Sequence, residues 1–271
     1  MSEVKKRRRN REREEALKRS DQCIYCGEKA DSVDHFPPRS FFREGQWPKN
    51  YAFPACMACN NGKGEDEQVI GKFLKMQNLD PVKDPDFQKF VDGVRMSRPD
   101  LFEKIKVIEG EEAKRALREL AGNDESAAKL AIDGAKVIDF PASLNNFLTN
   151  FSGWLGRSLY FQHVGRIHLG EVFTRIFTLQ AFERPELRRS LDLHIQRPTI
   201  ARGKDLSKQF YYRYLVMDRT FSGFIWFGNP QFIFSIVASQ NPTVLELNRQ
   251  FERGGFCIRI PPVKKKGHEG C

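Results

Sequence analysis

Cys23-Ile-Tyr-Cys26, Val33-Asp34-His35-Phe36-Pro37-Pro38, Asn50 and Cys56-Met-Ala-Cys59-Asn60-Asn61-Gly62-Lys63 follow one another near the start of a 271-residue chain. A C-x-x-C pair can place two thiolates on one metal from a tight turn, and two such pairs complete a tetrahedral set. Cys23, Cys26, Cys56 and Cys59 are therefore expected to hold a structural Zn2+. Such a site can stabilise a small fold by roughly 10–16 kcal/mol, enough for a segment with little core of its own. The 29 residues between the pairs exceed the commonest spacing, so the insert has to fold into something itself. A redox role for the cysteines would need a thioredoxin-like βαβ setting, and none is visible.

The insert carries the chemistry. Hydrolysing a phosphodiester needs a deprotonated water, a cation to neutralise charge at phosphorus and a fixed geometry. A histidine with a near-neutral pKa is the natural general base, which makes His35 the candidate. Asp34 is its neighbour, and neighbours on a strand point to opposite faces. The two could serve one site only where the strand bends or ends, as Pro37-Pro38 suggests. Read singly, Asp34-His35 is an ordinary surface pair and Asn60-Asn61-Gly62 an ordinary turn; the ordered set is what carries information.

In that order the motif resembles the HNH endonucleases (ββα-metal, or His-Me finger, nucleases), specifically the zinc-stapled branch in which two C-x-x-C pairs bracket the site. The resemblance covers about residues 20–70. It implies an α+β chain that opens with a treble-clef-like ββα-metal domain. It also implies His35 as general base and Asp34 with Asn60 as ligands of the catalytic cation, Asn61 competing for Asn60's place. By the same resemblance Asn50 holds the loop and base, and Lys63 contacts the scissile phosphate. A carboxylate with an amide oxygen is a hard donor set that favours Mg2+ or Mn2+ over zinc. The implied products carry a 5′-phosphate and a 3′-hydroxyl. DNA is the expected substrate, with RNA left open. Relatives often serve bacterial antiviral defence or mobile elements, so a protein activator or co-encoded components are expected partners by that analogy alone.

Charge agrees with a polyanionic partner. Lys and Arg number 45 against 35 Asp and Glu, a net charge of +10. Half of that excess sits in the first twenty residues, which include Arg7, Arg8, Arg9 and Arg11. These four, with Arg39 and Lys63, are the expected nucleic-acid contacts, binding phosphates without reading sequence and with steep salt dependence. No apolar run approaches the roughly 18 residues of a membrane helix, and the basic N-terminus lacks the apolar stretch of a secretory signal. The expected location is cytoplasmic, where thiols stay reduced.

The organisation expected is a basic arm over 1–20, the nuclease domain over 21–80, an accessory α+β domain of unknown role over 86–260 and a basic tail over 261–271. Prolines at 81 and 85 mark the first boundary. Helical spacing recurs at 87–94 and 127–135, and an apolar stripe from Leu144 to Val164 predicts a buried helix over 142–170. Residues 210–217, 223–227 and 232–237 are aromatic and β-branched and predict an antiparallel meander. His163, His168 with Glu171 at metal-like spacing, and Cys257 read as core or surface residues. Tyr211, Tyr212 and Trp226 could stack bases, but core packing explains them with less effort.

Overall fold

The computed structural model describes residues 3–42, 47–77, 137–139, 142–178, 185–197, 209–228, 232–255 and 257–263, with residue 206 and short pieces between 92 and 115. The chain divides into two units, Met1–Asp84 with Leu148–Cys271, and Pro85–Phe147. The break falls inside the proline-bearing stretch, and the second unit ends at Phe147. The expected accessory domain over 86–260 is thereby corrected: residues from 148 onward share a unit with the four-cysteine segment.

The first unit begins with α1 (Glu3–Leu17), a highly charged helix that buries Ala16 and packs on the hairpin behind it. The turn carrying Cys23 and Cys26 follows. Strands β1 (Ser32–His35) and β2 (Ala52–Ala55) then pair antiparallel, with Asp34 opposite Phe53 and His35 opposite Ala52. Helices α2 (Met57–Gly62) and α3 (Gly64–Gln77) complete the segment. The start of α2 is set locally. Cys56 is its N-cap and accepts from the Cys59 amide, while Asp31 Oδ1 accepts from the Met57 amide at 2.8 Å. Side-chain acceptors of this kind satisfy amides that a helix start leaves unpaired.

So short a hairpin has little interior, and its aromatic rings find partners elsewhere in the chain. The long helix α4 (Ala142–Val164) supplies Phe151, whose ring lies 5.3 Å from that of Phe36, and Phe161, 6.3 Å from that of Phe53. Tyr51 Oη lies 2.6 Å from Tyr212 Oη of the C-terminal sheet. These contacts are the physical reason that the four-cysteine segment and the C-terminal region form one unit. The expected helix over 142–170 stops at Val164, because Gly165 takes φ +74° and its amide bonds to Phe161 O. A glycine in this conformation is a common helix terminator.

The sheet has five antiparallel strands in the order β6-β7-β8-β5-β9. Strands β6 (Phe210–Met217), β7 (Thr220–Phe227) and β8 (Phe232–Ser239) are the expected meander. Strand β5 (Val172–Thr178), unexpected from the sequence, lies between β8 and β9 (Ile258–Ile260). One face meets α4, where Gly156 approaches Val172 and Ile236. On the sheet itself, Phe177, Phe224 and Ile233 form a second apolar cluster with Leu191 of α5 (Pro185–Leu193). Helix α6 (Pro242–Arg253), capped by Asn241, packs against β8 and β9.

In the second unit, β3 (Lys106–Ile108) pairs antiparallel with β4 (Val137–Asp139), Val107 opposite Ile138. The helical stripes expected at 87–94 and 127–135 lie outside the described residues, as does the basic tail from 264. Among the described residues no helix is long and apolar enough to cross a membrane.

Candidate metal centre and active site

The four cysteines converge. Cys23 and Cys26 come from the turn before β1, Cys56 caps α2, and Cys59 sits in its first turn. Their sulfurs all lie within 4.8 Å of one another, and Cys26 and Cys56 are 3.7 Å apart. A tetrahedral zinc with bonds of about 2.3 Å sets its sulfurs roughly 3.7–3.8 Å apart. The spacing fits that ion and is far too long for a disulfide bond of about 2 Å. The hydrogen bond between Cys23 and Cys59 lowers the Cys23 thiol and raises that of Cys59, while burial raises Cys26, so it is the spacing of the sulfurs that argues for a metal. These residues could therefore hold a zinc ion.

His35 ends β1 with its ring half-buried. The ring meets Trp47 edge-on at 4.6 Å. Its Nε2 has no hydrogen-bond partner and lies 3.8 Å from Glu12 Oε2 of α1, too long for a hydrogen bond. Arg39 donates to the same Glu12 oxygen at 3.2 Å and lies over the Trp47 ring. Burial, reinforced by the Arg39 charge, lowers His35 to about 4, against the opposing pull of Asp34 and Glu12. The imidazole is thus neutral near pH 7, as a proton acceptor has to be.

Asp34 faces the other way. The strand alternates as expected, so the structure does not bring its carboxylate and the His35 ring onto one face. Asp34 is 4% exposed, and its Oδ2 accepts from Tyr25 Oη at 2.5 Å and from the Lys63 ammonium. Tyr25 Oη lies in turn 3.0 Å from Ser158 Oγ of α4. Lys63 is 2% exposed, boxed by the rings of Tyr25, Phe36 and Trp154 at 4.2, 4.8 and 5.8 Å, with Glu67 Oε1 at 3.4 Å. Burial raises the Glu67 carboxyl to about 7 despite the nearby ammonium. The expected phosphate contact by Lys63 is therefore corrected: its charge is spent on Asp34 inside the protein.

The remaining expected residues are placed as follows. Asn60 donates Nδ2 to Ser32 Oγ at 3.0 Å and Val33 O at 3.4 Å, fixing α2 to β1 and leaving its Oδ1 as the acceptor end. Asn61 is exposed. Asn50 sits at the turn into β2 with φ +67°, and its carbonyl accepts from Arg19 at 3.4 Å. Arg11 pairs with Glu15 on the exposed side of α1, and Arg39 is committed to Glu12 and Trp47. The side chains of Arg7, Arg8 and Arg9 lie outside the described set. A groove of about 640 Å³ runs between α1, the turn at 47–50 and α4, lined by Arg11, Arg19 and Lys49 together with Glu12 and Glu15.

Several participants carried no sequence signal. Tyr25 reads as a spacer inside C-x-x-C, Glu12 as one charge in a charged arm, and Trp154 and Ser158 as parts of a core helix. Other polar residues turn out to be structural. His168 Nε2 lies 2.9 Å from Glu171 O, and the Glu171 carboxylate holds Arg249 and Arg259, so the metal-like spacing of that pair marks no metal site. Cys257 is half-buried, donating to Asn248 O, and Tyr212 is buried. The chain matches no family model, no curated protein and no solved structure.

Proposed function

We propose that the chain is a divalent-metal-dependent HNH-type endonuclease that hydrolyses DNA phosphodiester bonds. The observation that carries this reading is the way the ordered motif folds. It makes a hairpin followed by a helix, with four thiols gathered at the base and His35 at the end of the first strand. Glu12 and Trp47, which flank His35, also line the groove that holds Arg11, Arg19 and Lys49. A nucleic-acid backbone lying there would meet those cations beside Glu12 and Trp47, the residues that flank His35.

In this mechanism His35 accepts the proton of the attacking water at Nε2, a nitrogen that is buried and without a hydrogen-bond partner in the resting protein, so its cover has to shift to admit that water. Trp47 and the neighbouring Glu12–Arg39 pair fix the ring plane, so the base is oriented before substrate arrives. Asp34 and Asn60 offer the hard donors such a cation takes, a carboxylate and an amide oxygen, but Asp34 lies on the strand face opposite His35, so the end of β1 has to turn for the two to act on one phosphate. Mg2+ or Mn2+ held there would supply charge neutralisation at phosphorus and at the departing 3′ oxygen.

A second reading, a zinc-stabilised DNA-binding module that does not cut, is favoured by the Lys63 ammonium already seated on Asp34. Supercoiled plasmid with Mg2+ or Mn2+ separates the two. Nicking or linearisation that EDTA stops and that His35→Ala reduces by at least about 10²-fold is the expected result. Binding without cleavage under every metal condition would select the non-cutting module instead.

A further inference from the structure

Lys63 ends α2, and its ammonium lies almost wholly out of water on the one carboxylate that the nuclease reading gives to the catalytic cation. A buried ammonium is tolerated only where charge and ring faces replace its hydration. Here Asp34 and Glu67 supply the charge, and Tyr25, Phe36 and Trp154 supply the faces. Tyr25, bonded to both Asp34 and Ser158, holds the carboxylate toward the lysine. The pocket is thus built for one positive group at Asp34 Oδ2. A divalent cation on this carboxylate, even on Oδ1, would sit within a few Å of the ammonium, and the two like charges in a pocket out of water disfavour each other.

We propose that Lys63 is a built-in competitor for the catalytic cation: it occupies Asp34 in the resting protein, and a divalent metal loads only as the ammonium swings away. This rests on the nuclease reading's assignment of Asp34 as a metal ligand. Metal affinity is reduced by the fraction of molecules in which Asp34 is free, the general cost of binding to a minor state. Lys63 also screens Asp34 from Glu67, so the metal-free fold depends on it.

The test is Mn2+ binding to the full-length, zinc-loaded chain, read from the free-Mn2+ electron paramagnetic resonance signal. Wild type, Lys63→Met, Lys63→Gln and the Lys63→Met/Asp34→Asn double variant are compared. Removing the ammonium is expected to tighten Mn2+ binding about tenfold or more, and the double variant to lose that gain. Thermal melts give a second readout. Lys63→Met should melt below wild type without Mn2+ and be raised by Mn2+ more than wild type is, since a ligand stabilises the state that binds it. Lys63→Gln, which can still donate to Asp34, covers the case in which Lys63→Met does not fold.

Equal affinity in wild type and both single variants, with the double variant still losing Mn2+, would overturn the competition and leave Asp34 a metal ligand. Binding that ignores Asp34→Asn would overturn both the competition and the assignment beneath it. Tighter binding by Lys63→Met in a protein that never cuts would uphold the competition while ending the catalytic reading.

Discussion

His163, at the end of α4, is held where a charge is unwelcome. Its Nε2 lies 2.7 Å from Tyr212 Oη, and its ring packs 4.0 Å from that of Tyr214 and parallel to Phe221. Burial lowers it to about 4, and its hydrogen-bonding and ring neighbours are neutral phenols and a phenyl ring. Unfolded, it titrates near its ordinary value of about 6.5. Between those values the unfolded chain binds the proton and the folded chain does not, so stability is full above about 6.5 and falls as pH drops toward 4. The loss from this residue is on the order of 2–3 kcal/mol. Urea unfolding at pH 7.5 and pH 5.0 should show it, and His163→Phe should have a visibly smaller difference between the two pH values. His35, His168 and His194 are shifted the same way, so the variant keeps part of the slope. An unchanged slope would mean that His163 does not titrate on unfolding. At this scale the cysteines were legible in the sequence, because chelation depends on local spacing. Lys63 was not, because Tyr25, Phe36 and Trp154, which bury it, come from three separate parts of the chain.

Helix α4 is the element on which the first unit is assembled, and its approach to the sheet is set by Gly156. A Cβ built there would lie 2.8 Å from Val172 Cγ1 and 2.9 Å from Ile236 Cγ2. Both neighbours are β-branched, buried or packed on the sheet, and stiff at χ1, so they cannot turn aside. Alanine at 156 would gain up to about 1 kcal/mol of helix propensity. The overpacking it forces costs typically 1–3 kcal/mol, and the close contacts on two sides put the balance on the side of loss. Gly156→Ala is therefore expected to lower the urea midpoint, whereas Gly62→Ala in α2, with nothing within 4 Å of its Cβ, should not. Midpoints that rise together in both variants would show that α4 can move off the sheet freely. The meander β6–β8 was legible because aromatic and β-branched runs alternate with turn residues. Strand β5 was hidden by the helix before it: the helix was expected to run to 170, but the left-handed Gly165 ends it at Val164, and a seven-residue connection leads into the strand at Val172.

At the scale of the molecule, the question is whether the four-cysteine segment can stand without the C-terminal region. Phe36, Phe42, Tyr51 and Phe53 are all buried, and their ring partners include Phe151, Phe161 and Phe210. Those partners lie about a hundred or more positions further along, so no reading of spacing could pair them, and the sequence suggested separate domains for two regions that share one unit. Exposing rings of this size forfeits roughly 1.5–3 kcal/mol each, so four lose about 6–12 kcal/mol. The zinc site offers roughly 10–16 kcal/mol, but most of that closes the turn and the start of α2 rather than the hairpin's far side. The hydrogen bonds Tyr25–Ser158 and Tyr51–Tyr212 are lost as well, exchanged for bonds to water, while Tyr25 keeps its bond to Asp34. A fragment of residues 1–84 is therefore expected to bind one zinc per chain yet show no cooperative thermal transition and little near-ultraviolet circular dichroism. Co-expression with residues 142–271 should restore both signals, because the missing surface is supplied in trans. If the fragment alone melted cooperatively and nicked plasmid, the rings would be redundant and the hairpin a self-sufficient nuclease. If it bound no zinc, the packing of α4 would be what gathers the thiols, reversing the order in which metal and core build this site.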